Sequence, residues 1–198
     1  TEPLAVSGDA LQAAFFGGRV AVLSTDTDTG ASTLQIGERT IELASFGDHA
    51  VLGESSSADR VLIATDTQLV SVPTTGDDAP VALSTKGTGA AVRPVDIGGC
   101  AFGAWMTAPS EAIACGDARP SVGPLELPAG SALRFRVNGT RVVLNAWKTG
   151  EAFVVDHGEF IRVDNWDDVI PQTDLTQTTD PTKTDPGDDE NCAQGATN

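Results

Sequence analysis

The apolar residues of this chain fall in short runs separated by Gly, Asp, Thr and Pro, and one arrangement of them recurs along the sequence. Arg19-Val20-Ala21-Val22-Leu23-Ser24 leads through a Thr/Asp/Gly turn into Ser32-Thr33-Leu34-Gln35-Ile36-Gly37. Arg60-Val61-Leu62-Ile63-Ala64-Thr65 turns at Asp66-Thr67 and returns through Gln68-Leu69-Val70-Ser71-Val72. A third copy runs Ala101-Phe102-Gly103-Ala104-Trp105-Met106, turns near Thr107-Ala108 and returns through Ala112-Ile113-Ala114. The fourth pairs Arg141-Val142-Val143-Leu144-Asn145-Ala146 with Ala152-Phe153-Val154-Val155. With anchors at 19, 60, 101 and 141 the spacings are 41, 41 and 40. A steady period of this length is the mark of a repeat architecture.

Each hairpin has room for one strand before it and one after. The upstream candidates are Ala13–Phe16, Ala50–Leu52, Val95–Ile97 and Leu133–Val137; the downstream ones are Thr40–Leu43, Val81–Leu83, Leu125–Leu127 and Phe160–Val163. Four short strands per repeat, with turn residues at every bend, is the composition of a propeller blade. The fold expected is all-β: about four four-stranded β-propeller blades forming part of a ring, over residues 1–170. One four-stranded sheet cannot cover both of its own faces, so repeated sheets must stack. A β-sandwich is the alternative that short, regularly spaced strands also fit. From Pro171 the sequence turns to Thr, Asp and Pro without apolar periodicity, so 171–198 is expected to be a disordered acidic linker leading to another domain.

Charge and composition narrow the functions. The chain of 198 residues has a formal net charge of -16, which argues against a surface that neutralises phosphates, so no nucleic-acid partner is expected. There is no apolar run long enough to span a membrane. Cys100 and Cys115 flank the third hairpin. A turn centred on 107 and 108 makes residues whose numbers sum to 215 face each other, and 100 and 115 are such a pair. A disulfide between them is expected, which implies an oxidising compartment.

Candidate chemistry is sparse. His49 and His157 lie in Gly/Asp-rich bends with no activated nucleophile nearby, and they read as loop histidines. Asp26 and Asp28, in Thr25-Asp26-Thr27-Asp28-Thr29-Gly30, are weak Ca²⁺ candidates: the alternate carboxylates fit hard-oxygen ligation, but a distal bidentate Glu is lacking and a tight turn needs the same residues. Asp167 and Asp168 are weaker still. Asn138-Gly139-Thr140 fits a glycosylation acceptor and a type I′ hairpin turn. Trp105, Trp147 and Trp166 are expected to serve blade packing or edge covering; a sugar platform would need two of them side by side. Asp26, Asp28, His49, His157, Asp167 and Asp168 are expected to lie apart. No cofactor is expected and no catalytic residue is assigned.

A family resemblance adds to this. Leu69–Pro73, Ala79–Leu83, Arg93-Pro94-Val95, Gly98–Trp105, Leu133–Asn138, Arg141–Asn145 and Val163–Val169 resemble the N-terminal propeller of large actinobacterial surface proteins that carry fibronectin type III domains. Gly98-Gly99-Cys100 and Asn165-Trp166-Asp167-Asp168 are its sharpest marks. The resemblance implies a membrane anchor before the propeller, immunoglobulin-like or fibronectin type III domains after the linker, and no catalytic residues. The expected function is therefore a non-catalytic extracytoplasmic interaction or spacing module of a cell-envelope protein, with a protein or cell-wall glycan as partner. The alternatives are a propeller-type lyase or glycosidase and a carbohydrate-binding module.

Overall fold

A computed structural model describes residues 9–16, 18–43, 49–55, 59–76, 78–85, 89–116, 118–156 and 159–164. The expected linker at 171–198 lies outside them, as do His157, Trp166, Asp167, Asp168 and Cys192. The described elements are all strands, and they make four antiparallel sheets in chain order. The first blade is β1 (Ala10–Phe16), β2 (Arg19–Thr25), β3 (Ser32–Ile36) and β4 (Arg39–Glu42). The second contains β5 (Val51–Leu52), β7 (Arg60–Ala64), β8 (Gln68–Pro73) and β9 (Val81–Ser84). The third contains β10 (Val95–Ile97), β11 (Cys100–Trp105), β12 (Ser110–Cys115) and β13 (Ser121–Pro124). The fourth contains β14 (Leu133–Asn138), β15 (Arg141–Ala146), β16 (Glu151–Asp156) and β17 (Glu159–Val163). Each is a meander in which neighbours in sequence are neighbours in the sheet. The exception is β6 (Glu54–Ser55), which leaves the second blade to pair in parallel with β10 of the third.

Side chains alternate across a strand, so a blade between two others must be apolar on both faces. β7 obeys this throughout: Val61, Leu62, Ile63 and Ala64 are all fully buried. Val61 and Ile63 join Leu23, Leu34 and Phe16 in the core between blades one and two. Leu62 and Ala64, on the other face, join Ala101, Trp105 and Ala112 between blades two and three. A third core, between blades three and four, holds Phe102, Ile113, Phe135 and Leu144, with Phe160 set edge-on to Phe102 at 6.3 Å between ring centroids. None of the three clusters contains residues of both the first and the fourth blade, so among the described residues the array is not closed into a ring.

Polar ties cross the same interfaces. Trp105, fully buried, donates its indole N–H to the carbonyl of Thr65 at 2.7 Å, and its ring lies over Gly103, where a Cβ would stand 2.9 Å from it. Arg60 at the start of β7 grips Asp96 of β10 with two hydrogen bonds, of 2.5 and 3.2 Å, and the Asp96 carboxylate has no solvent exposure. A buried charge is tolerable only when paired in this way. Arg19 at the start of β2 donates to the Thr74 carbonyl of the second blade at 3.0 Å. Gly53 lets three chain segments meet, since a Cβ there would sit 2.9 Å from the carbonyl oxygens of both Leu62 and Pro94.

Three expectations change. The fourth strand of the third blade is Ser121–Pro124, not Leu125–Leu127. The Leu-Glu-Leu alternation there is a bend after the strand, closed by Leu127 N–H on the Leu125 carbonyl, and Leu125 turns into the core between blades three and four. The structural equivalent of Arg19, Arg60 and Arg141 is Cys100 and not Ala101, which sits on the opposite face, because a slip of one residue inverts a strand. The loop at Asn138 places Gly139 and Thr140 between the paired residues Asn138 and Arg141. Positive φ occurs there only at Gly139, at 59°, the pattern of a type II′ turn rather than type I′.

The third hairpin has the expected register, with Trp105 opposite Ser110 and Cys100 opposite Cys115. The two sulfurs are bonded at 2.09 Å. They join residues 15 apart in sequence, a loop whose closure in the unfolded chain is worth about 3 kcal/mol. The Cys100→Ala/Cys115→Ala double variant should lose about that much in urea unfolding, with a slope equal to or somewhat above the parent's because the unlinked chain unfolds to a more open state. A variant as stable as the parent would mean that the bridge restrains nothing.

Candidate functional site

Four arginines set the chemistry of the last two blades. In β14 the sequence Leu133-Arg134-Phe135-Arg136-Val137 alternates, so Leu133 and Phe135 turn into the core against the third blade while Arg134 and Arg136 are exposed on the other face. Across the inner edge of β14 lies Arg93, in the segment leading into β10. Together with Val92, Val95, Phe135 and Val137 these residues line a cavity of about 590 Å³. Three arginines among the residues that line one cavity are a local reversal of sign in a chain of net charge -16. Guanidinium is planar and permanently charged, and it binds carboxylate, sulfate and phosphate oxygens in pairs. Arg141, the fourth, begins β15 and is exposed on the same sheet face as Arg134 and Arg136.

A second depression, about 490 Å³, lies at the loop ends of the first blade and is lined by Asp26, Asp28, His49 and Gln12. The fold thus brings Asp26, Asp28 and His49 to one place, where separate positions are the expectation. The hairpin β2–β3 and the segment entering the second blade emerge at the same end. Asp26 is committed to its own turn: Oδ1 accepts the N–H groups of Asp28 and Thr29 at 3.0 and 2.9 Å, and Thr29, then Asp28, hold its carboxyl below the usual range. His49 has a left-handed backbone, φ 52°, and its Nδ1 lies 2.9 Å from Asp66 Oδ2 of the second blade. Among the described residues no group of three or more His, Cys, Asp or Glu side chains is placed to hold a metal ion.

The indoles divide. Trp105 is core, whereas Trp147 is 64% exposed with the Lys148 ammonium 5.5 Å from its ring centre. These two therefore form no shared platform.

One titratable group was not signalled by any motif. Glu111 of β12 is buried between the third and fourth blades in a cleft of about 280 Å³ with Leu125, Phe153, Phe160 and Arg162. It faces Gly123, whose missing side chain leaves room for the carboxylate: a Cβ there would lie 3.1 Å from Glu111 Oε1. Oε2 is buried and accepts no hydrogen bond. Burial, and then the nearby charge of Glu159, raise its pKa to about 7. The folded state therefore holds this proton more tightly than the unfolded chain. Its contribution to stability is fully present below the ordinary value of 4.5 and is lost as pH rises through about 7.

Thermal unfolding between pH 4 and pH 8 tests this. The parent should lose melting temperature across that window by a larger amount than Glu111→Gln, whose neutral amide has no proton to release; parallel curves would contradict it.

The chain matches no protein-family model and no curated relative.

Proposed function

We propose that this chain is a non-catalytic extracytoplasmic interaction module that takes anionic groups of its partner into the arginine-lined cavity beside β14. The observation that carries this reading is the convergence of Arg93, Arg134 and Arg136 on one cavity in a strongly acidic chain. Mutual repulsion disfavours concentrating like charges, and a cavity with apolar walls strengthens their field. The Cys100–Cys115 bond supports this reading, since disulfides persist in oxidising compartments. Among the described residues no helix is long and apolar enough to cross a membrane. Asp26 and His49 are engaged within the fold, Asp26 by its own turn and His49 by Asp66, which favours recognition over catalysis. A cell-wall glycan bearing carboxylates, or an acidic protein segment, fits this site. The surroundings expected from the family resemblance, a membrane anchor before and fibronectin type III domains after, would present such a module at the cell surface.

Titration with an oligogalacturonate at low ionic strength tests the proposal. Binding should be saturable, weaken with added salt and fall about tenfold or more in Arg134→Ser/Arg136→Ser, as expected for loss of charge-assisted contacts. An uncharged oligoglucan should not bind. Absence of binding to every polyanion tried, or equal binding by the double variant, would overturn the reading.

A further inference from the structure

Glu111 stands where an apolar residue would pack better. β12 pairs it with Ala104 on one side and Gly123 on the other. Ala104 belongs to the core between the third and fourth blades, so the cross-strand register turns Glu111 towards the fourth blade as well. The residue is more than nine-tenths buried, at 8% exposed, and its Oε2 has no donor. A buried polar atom without a partner destabilises a fold, and a leucine in the same place would carry no such atom. The fold is less stable for holding a carboxyl group here.

The cleft that Glu111 lines has the walls and the charge of a site for an organic cation. Leu125, Phe153 and Phe160 supply apolar surface. Phe160 is held edge-on to Phe102 and tilted at 43° to Phe135, so this wall is set by two rings of the core. Gly123 leaves a notch beside the carboxyl group: the three atoms nearest to the position of a Cβ there all belong to Glu111, with Oε1 at 3.1 Å. Glu126, exposed at the edge of the cleft, and Glu159, close enough to raise the Glu111 pKa, add negative charge. Arg162 is the only cation among the described residues that line the cleft, and its guanidinium is turned to Glu151, with Nη2 3.6 Å from Oε1. A metal ion would need several oxygen ligands, and among the described residues no three His, Cys, Asp or Glu side chains are placed to hold one.

We propose that this cleft binds a primary alkylammonium group, of the kind that ends a lysine side chain, with Glu111 as its counter-charge and Leu125, Phe153 and Phe160 against its methylene stem. An ammonium is a compact point charge on a flexible apolar stem, which suits a single carboxylate set among apolar walls. It supplies the donor that the ionised carboxylate lacks. With its pKa at about 7, Glu111 is mostly protonated at pH 5 and mostly ionised at pH 8. The ammonium pairs with the ionised form, so affinity rises with pH across that window. The site shares no residue with the arginine cavity and takes the opposite charge, so it goes beyond the function given above and does not depend on it.

Titration of the full chain with n-pentylamine at low ionic strength, followed by amide NMR shifts, is the test. At pH 8 the shifts should saturate and centre on Glu111, Gly123 and Phe160, and at pH 5 binding should be roughly a hundredfold weaker. Each methylene added between propylamine and pentylamine should tighten binding about two- to fourfold. The neutral 1-pentanol, which has the stem without the charge, should bind about tenfold more weakly or less well still. Glu111→Gln should lose both the tight binding and its pH dependence, while its melting transition shows that it is folded. Nα-acetyl-lysine N-methylamide separates two sources of the same group: if it binds as pentylamine does, side chains of a partner polypeptide reach the cleft, and if pentylamine alone binds, the site takes free amines. No saturable shifts around the cleft at pH 8, affinity unchanged between pH 5 and pH 8, equal binding by Glu111→Gln or of 1-pentanol, or occupation by Ca²⁺ in preference to the amine would overturn the proposal.

Discussion

The stacking of one sheet on the next governs everything else in this molecule. A four-stranded sheet has two faces and no way to cover either one itself, so each interior blade must carry apolar side chains on both and find a neighbour for each. β7 is the clearest case, with Val61 and Ile63 committed to one neighbour and Leu62 and Ala64 to the other. Fully burying a Val, Leu or Ile side chain stabilises by about 1.5–3 kcal/mol, and several such residues from each blade meet at every interface. The polar ties between blades are placed where a side chain can reach across without interrupting this packing: at strand ends for Arg19 and Arg60, and through the Trp105 indole onto a carbonyl at the end of β7.

The same alternation positions the chemistry. Because Leu133 and Phe135 must face the third blade, the alternate residues Arg134 and Arg136 face away. Both line one cavity with Arg93, where β14 meets the segment entering β10. Glu111 is the reverse case. Its strand position turns it into the interface between blades three and four, and the fold accommodates it with Gly123 opposite rather than with a hydrogen-bond partner.

Much of the architecture was legible because period and alternation are local. The spacing of Arg19, Arg60 and Arg141 gave the blade count, and the turn at Thr107-Ala108 gave the register that sets Cys100 against Cys115. The misread elements are those in which tertiary packing overrides a local pattern. Leu125-Glu126-Leu127 alternates like a strand, yet Leu125 is needed in the core and the ladder uses Ser121–Pro124 instead. The third anchor was displaced by one residue because Cys100 is half-apolar in character and no arginine marks the place. β6 pairs in parallel with a segment far along the chain, and a two-residue strand carries no periodicity to betray it. Of the site, the alternation in Leu133–Val137 was visible, and the partnership of its arginines with Arg93 was not, since it depends on which blades are neighbours. The meeting of His49 with Asp66, and its place beside Asp26, likewise came from two loops emerging at one end of the stack.

The central claim is that four sheets stack in chain order with both faces of the second and third covered. Native-state hydrogen exchange measures this strand by strand. The account predicts the slowest amides in β7, β8, β11 and β12, with the first and fourth blades opening at lower free energy because among the described residues each has a neighbouring blade on one side only. Greatest protection in the strands of the first and fourth blades, or uniform protection as in a two-sheet sandwich, would contradict it.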